Sequence, residues 1–184
     1  DGIDDETVVL YTSDHGSHFK TRNSEYKRSC HDGCLRIPMV AAGPGFEGGN
    51  VVEELVSLID APATVLAAAG IPVPETYHGR ALQPPAAGEA QDWPAEGFAQ
   101  ISESQTGRCV RTEKWTYSVS VPERDSRSDL YYEEYLYDNE NDPHQRNNLV
   151  RDPALADARA SLAEALRRRM AEAGEKPSEI RAAE

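Results

Sequence analysis

Positive charge is what this chain is short of. Nineteen Lys and Arg face 32 Asp and Glu over 184 residues, a formal net charge of −13. Phosphate backbones need clustered Lys and Arg, so nucleic acid is excluded as a partner. Cysteine is scarce as well, at Cys30, Cys34 and Cys109. The run Cys30-His31-Asp32-Gly33-Cys34 invites a zinc reading. A structural zinc site takes four ligands, however, and no second Cys/His pair lies at a suitable spacing. Free, partly buried thiols are expected, with a Cys30–Cys34 disulfide as the alternative in an oxidising compartment. No apolar run approaches the length of a membrane span, and no signal peptide is visible. The chain starts at Asp1, without a Met, directly upstream of a strand of buried type. It is therefore expected to be a piece of something longer.

What is present begins with Thr7-Val8-Val9-Leu10-Tyr11-Thr12, a short apolar run without alternation. A strand apolar on both faces reads as an interior strand of a parallel sheet. It ends in Ser13-Asp14-His15-Gly16. In open α/β sheets ligands bind just beyond the carboxyl ends of strands, so an adjacent Asp and His there form half of a metal site. Taken alone, Asp-His-Gly reads equally as a turn closing a strand. Local charge reverses the global balance here. Between Asp14 and Arg36 stand five cations (Lys20, Arg22, Lys27, Arg28, Arg36) against Asp14, Glu25 and Asp32, with His15, His18 and His31 among them. A cationic pocket on an acidic body attracts a small anion through its local field.

Lys27 lies thirteen residues after Asp14, and Arg36-Ile37-Pro38 begins nine residues after Lys27. This order of strand, Ser-Asp-His-Gly, Lys and Arg-Ile-Pro resembles the sulfatases of the alkaline-phosphatase-like superfamily. The resemblance implies that Asp14 and His15 are metal ligands and that Lys27 is the catalytic cation near the leaving oxygen. His31, which the family pattern does not supply, is added as a candidate donor to sulfate. Calcium is the family's usual ion; His15 in place of Asn leaves manganese or magnesium open, because imidazole is a poorer calcium ligand. Two positions depart from the family pattern. Arg22 stands where a His is common, and His31-Asp32 replaces a frequent Tyr-Glu, which puts the substrate class in question.

Downstream, Met39-Val40-Ala41-Ala42 is a second buried-strand candidate, and Val51 to Leu58 is apolar enough for another. Asp60 has the character of an N-cap for a helix through Ala69, closed by Gly70. Residues 56–66, Ala69-Gly70-Ile71-Pro72 and Gly79-Arg80-Ala81-Leu82 resemble further sulfatase landmarks. Residues 83–97, rich in Pro, Ala and Gly, read as a linker. Beyond it, Gly97 to Glu103, Arg108 to Glu113, Lys114 to Val121 and Leu130 to Tyr137 read as antiparallel strands. Leu136-Tyr137-Asp138, Asp142-Pro143 and Asn147-Asn148-Leu149 resemble the family's C-terminal signature. Asp138, Glu140 and Asp142 alternate like a calcium loop, but Pro143 sits where an EF-hand needs Gly, so the turn is read as structural. Asp152-Pro153 starts a helix expected to run to about Ala173 and stop at Gly174, with Leu155, Ala158, Leu162, Leu166 and Met170 as its apolar stripe. The last ten residues are polar and expected to fray.

The family's nucleophile is a Cys or Ser converted to formylglycine within Cys/Ser-x-Pro-Ser/Ala-Arg. None of the three cysteines begins such a motif. Ser120-Val121-Pro122-Glu123-Arg124 matches in part, but it lies downstream of Ser-Asp-His-Gly rather than upstream, and Glu123 would set a carboxylate beside an anion. It is read as a decoy. The expected fold is thus α/β: residues 1–82 as part of a parallel-sheet core, 83–97 as linker, and 98–184 as a small antiparallel subdomain with a terminal helix. The resemblance implies the C-terminal part of a metal-dependent sulfatase acting on a small sulfate ester such as a sulfated carbohydrate. Formylglycine and the N-terminal half of the fold are expected upstream, and the fragment alone is expected to be inactive. The rivals are a phosphodiesterase or phosphonate monoester hydrolase of the same superfamily, and a non-catalytic binding module.

Overall fold

The computed structural model describes residues 2–122, 125 and 127–183. Two compact units interleave along the chain: Asp1–Asp14 with Ile37–Ala95, and His15–Arg36 with Glu96–Glu184.

In the first unit, β1 (Val9–Thr12) pairs with β2 (Met39–Ala42), Val9 opposite Ala42 and Thr12 opposite Met39. The pairing is antiparallel, whereas the sequence suggested an interior parallel strand. Because directly opposed residues share a face, Val9, Tyr11 and Val40 stand together on one side of the ribbon, and all three are exposed. Val51 to Leu58 forms no strand. Helix α2 (Asp60–Ala68) follows. Asp60 is its first residue rather than its cap, and its buried carboxylate accepts from the backbone N–H groups of Ser57 at 2.7 Å and Arg80 at 2.8 Å. Thr64, one turn on, accepts from Leu82 N–H at 3.0 Å. The Gly79-Arg80-Ala81-Leu82 landmark is therefore stitched to α2. Gly79 has to be glycine, because a Cβ there would come within 1.9 Å of the Ile59 carbonyl. Residues 83–97 hold the short helix α3 (Gln83–Ala86), and Trp93 donates its indole N–H to Leu55 O at 3.0 Å.

The second unit is a five-stranded sheet in the order β3 (Gly97–Ser102), β4 (Thr106–Arg111), β5 (Trp115–Ser120), β6 (Leu130–Asp138), β7 (Glu179–Arg181). Four strands run antiparallel as expected; β7 joins β6 in parallel. Glu179–Arg181, expected to fray, are instead held: Glu179 N–H bonds Asp129 O, and Ile180 packs on the core. A 3-10 turn at Pro153–Leu155, capped by Asp152 through Ala154 N–H at 2.9 Å, leads into α4 (Ala156–Glu172). Leu162, Leu166 and Met170 of α4 bury against Val110, Tyr117, Val119 and Leu136. Burying side chains of this kind stabilises by about 1.5–3 kcal/mol each. The Asp138 and Asp142 carboxylates accept backbone N–H groups, from Glu140 and Asn141 and from Arg146 and Asn147 respectively, as a structural turn requires. Ser120 ends β5 opposite Tyr132; Glu123 and Arg124 of the decoy motif lie outside the described residues. Among the described residues no helix is long and apolar enough to cross a membrane.

Candidate functional site

Side chains alternate along a strand, so β4 serves two sides of its sheet. Val110 packs with Leu162 and Leu166, and Arg108 bonds Glu175 just past α4 at 2.6 Å. Cys109 and Arg111 face the other way, toward the segment His15–Arg36. That segment is tied down at several points. The Arg111 guanidinium grips the Asp32 carboxylate through Nε and one terminal nitrogen, both at 3.0 Å. Asp32 N–H donates to Gln145 Oε1 at 2.8 Å, and Gln145 Nε2 donates to Thr116 Oγ1 at 3.2 Å. Arg22 donates to His144 O at 2.7 Å. Arg28 bridges Glu25 and Glu103, and Ser104 Oγ donates to Glu25.

These anchors position a short helix, α1 (Asp32–Leu35), whose Cys34 carbonyl accepts Gly16 N–H at 2.8 Å. The two backbones approach so closely that a Cβ on Gly16 would lie 2.2 Å from Gly33 O. His15, immediately before Gly16, is thereby held against α1. Its Nδ1 lies 2.8 Å from Gly16 O, which can only accept, so Nδ1 carries the proton and Nε2 keeps its lone pair. Lys27 Nζ donates to that lone pair at 2.9 Å. Lys27 in turn is fixed from behind. His18, 5% exposed, bonds Tyr26 O through its backbone N–H at 2.9 Å and Lys27 O through Nε2 at 3.2 Å. The Tyr26 ring flanks both groups, 5.6 Å from Lys27 Nζ and 6.0 Å from the His15 ring.

The structure thus brings two of the four expected site residues, His15 and Lys27, into direct contact. Asp14 stands exposed two residues beyond β1, with Ser13 Oγ 3.4 Å from its Oδ1. His31 is 8% exposed and packs its ring on Tyr135 (centroids 4.3 Å apart) and Tyr137 (5.5 Å). Its Nε2 lies 3.2 Å from the Tyr137 hydroxyl. Burial, assisted by the Arg22 and His18 charges, lowers its pKa from 6.5 to about 4, so it is neutral at pH 7. Asp14 supplies carboxylate oxygens suited to a divalent cation, and His15 could add its Nε2 only where the cation displaces Lys27 Nζ, from which that lone pair accepts here. Among the described residues no group of three or more His, Cys, Asp or Glu could hold a metal ion, so these two would need further donors. Sequence reasoning passed over His18, Tyr26, Arg111 and Gln145. His18 was at least counted in the cationic cluster; Arg111 and Gln145 carried no local signal.

The family described as N-sulphoglucosamine sulphohydrolase, C-terminal, matches residues 24–172. Arylsulfatase K of Bos taurus is 28% identical over 159 residues, covering 81% of this chain and 28% of that protein. A solved 2-O GAG sulfatase superposes with a TM-score of 0.77 at 27% identity, covering 91% of this chain and 37% of the other. The phosphonate monoester hydrolase of Silicibacter pomeroyi superposes with a TM-score of 0.73 at 26% identity, covering 91% and 35%. The chain thus spans between a quarter and two fifths of the length of these relatives. On the match over residues 24–172, the chain belongs to the sulfatase family and corresponds to its C-terminal portion.

Proposed function

We propose that this chain is the C-terminal part of a metal-dependent sulfatase that hydrolyses a sulfate ester, with a sulfated sugar as the substrate class. What supports the reading is the 2.9 Å contact between Lys27 Nζ and His15 Nε2, twelve positions apart in sequence, within a chain matched by the sulfatase family. Asp14 and His15 would hold the metal, which when bound supplies a Lewis acid for a sulfate oxygen. Calcium is the proposed ion, with manganese or magnesium as alternatives. The Nδ1–H bond to Gly16 O fixes the His15 ring and leaves Nε2 as the nitrogen a metal would take in place of Lys27 Nζ. Lys27 offsets charge developing on the leaving oxygen, an electrostatic role worth most where water is excluded. His31 is proposed as a donor to the sulfate through a ring N–H, as a neutral imidazole rather than a cation, since burial holds its pKa at about 4. Formylglycine, outside these residues, would supply the nucleophile.

The N-terminal half of the fold is the proposed partner of the first unit. Val9, Tyr11, Val40, Val51 and Val65 are each more than half exposed there, an apolar surface that a further sheet neighbour would cover. The sulfated-sugar assignment draws on a protein of the same fold solved with D-glucosamine-2-N,6-O-disulfate, and on the solved 2-O GAG sulfatase. The phosphonate hydrolase likeness keeps one second reading in view.

The test uses the complete protein carrying this chain. Sulfated glucosamine, an aryl sulfate and a phenylphosphonate monoester are assayed side by side, with metal content by elemental analysis for the parent and Asp14→Ala. Preference for the sulfate esters and loss of bound metal in Asp14→Ala are expected. Preference for the phosphonate establishes the second reading, and unchanged metal content removes Asp14 from the ligand set.

A further inference from the structure

The bidentate Asp32–Arg111 pair ties the segment His15–Arg36 to β4, its members 79 positions apart. Two residues earlier on each side, at the same separation, stand Cys30 and Cys109. Cys109 shares a face of β4 with Arg111, because alternate strand residues do. Cys30, on the docked segment, and Cys109 come together on that face. Both belong to one buried cluster with Tyr135 and Tyr137, at 2% and 0% exposure. The closeness of Cys30, together with burial, pushes the Cys109 thiol well above its ordinary pKa. Cys34 has different company: its sulfur lies 3.8 Å from Ser29 Oγ. All three cysteines are free, buried thiols in the structure, and the neighbourhood of Cys30 and Cys109 is one that spacing along the chain does not reveal.

We propose that Cys30 and Cys109 form a disulfide site, which in an oxidising environment fastens the segment bearing His15 and Lys27 covalently to β4. The oxidant is a small-molecule disulfide. The thiolate of one cysteine attacks a sulfur of that disulfide and expels one small thiol, leaving a mixed disulfide. The second cysteine, as thiolate, attacks the protein-side sulfur and expels the other small thiol. The two cysteines lose two protons and two electrons, and the reagent becomes two thiols. Burial keeps reagents out of the folded cluster, so exchange takes place while the segment is undocked, during folding. Once formed, the bridge carries no charge and needs no hydrogen-bond partner, which suits a pocket walled by two tyrosine rings. Bridges that close long loops restrict the unfolded chain most.

The experiment uses the chain itself, refolded in reduced and oxidised glutathione, then denatured without reductant, alkylated with iodoacetamide and mapped by mass. The expected map has a peptide linking Cys30 to Cys109, with Cys34 the sole alkylated cysteine. Reduction is expected to lower the midpoint of thermal unfolding by on the order of 5–10 °C. Cys34→Ser keeps both the link and the shift; Cys30→Ser and Cys109→Ser lose both. Three alkylated cysteines from protein that circular dichroism shows to be folded overturn the proposal, as does a link to Cys34. Should Cys30→Ser or Cys109→Ser fail to fold, the maps of the parent and of Cys34→Ser decide alone.

Discussion

Arg111 holds Asp32 with two nitrogens at once, each 3.0 Å from a different carboxylate oxygen. Both side chains are about one fifth exposed or less, so the pair is shielded without being dry. Removing one partner leaves the other charge poorly solvated. Arg111→Ala is expected to destabilise the chain by about 2 kcal/mol, less than for a fully buried pair because water still screens it. Asp32→Ala should cost a similar amount. Urea denaturation of both single variants and the double variant checks this. Single effects that simply add would show that the two groups do not act as a pair.

Gly16 has no room for a side chain. An added Cβ would lie 2.2 Å from Gly33 O, against backbone that cannot rotate away. Gly16→Ala is expected to push the segment off α1 at a cost of about 3 kcal/mol, the upper end of overpacking penalties. Thermal unfolding gives the loss, and the His15 side-chain NMR signals report the displacement. A variant with the parent's midpoint and unmoved His15 signals contradicts the packing described.

His31 makes stability depend on pH. Its folded pKa, about 4, lies below the ordinary 6.5, chiefly because burial disfavours the charged form. Between those values the unfolded chain binds the proton that the folded chain refuses. The contribution is fully present above pH 6.5, and is lost as pH falls toward 4. Allowing for screening, the loss is on the order of 2 kcal/mol. Denaturation at a series of pH values should show this slope, and His31→Gln should flatten it. An equal slope in the variant would assign the effect to carboxylates.

Lys27→Ala, made in the complete protein, is expected to lower kcat by about 10²-fold, the scale of losing one donor to a developing oxyanion. Metal content should hardly change. A loss confined to KM would mean that Lys27 binds substrate and transition state alike.

The 184 residues alone are expected to show no turnover of an aryl sulfate with calcium or manganese. Asp14 and His15 supply two ligands, whereas calcium takes six to eight oxygens. Turnover that disappears in Ser120→Ala would make the decoy motif the nucleophile. Turnover lost in Lys27→Ala alone would reveal a complete site within this chain.

The legible parts of the sequence were those whose causes are local. Strands β3 to β6 follow from alternating and Tyr-rich runs between turn residues, and α4 follows from its Asp152 cap and its stripe at spacings of three and four. The motif spacing also anticipated that His15 and Lys27 belong together. Long-range partners were not legible. Asp60 resembles a cap, yet its carboxylate serves Arg80, twenty positions on. Glu179-Ile180-Arg181 is too short and polar to announce a strand, and becomes one only because β6 offers it an open edge. Asp32 gives no sign of Arg111 or Gln145, because a single charged residue does not specify which distant group will neutralise it.

The second unit is discontinuous in sequence, and this orders events during synthesis. His15–Arg36 leaves the ribosome well before β4, on which it docks, has been made. At about 5–20 residues per second, the 15–36 segment waits several seconds for Arg111 to appear. Throughout that interval the nascent chain carries an undocked cationic loop and a Cys30 thiol whose partner has not been made. A stretch of slow codons between Ile37 and Ala95 would lengthen that exposure.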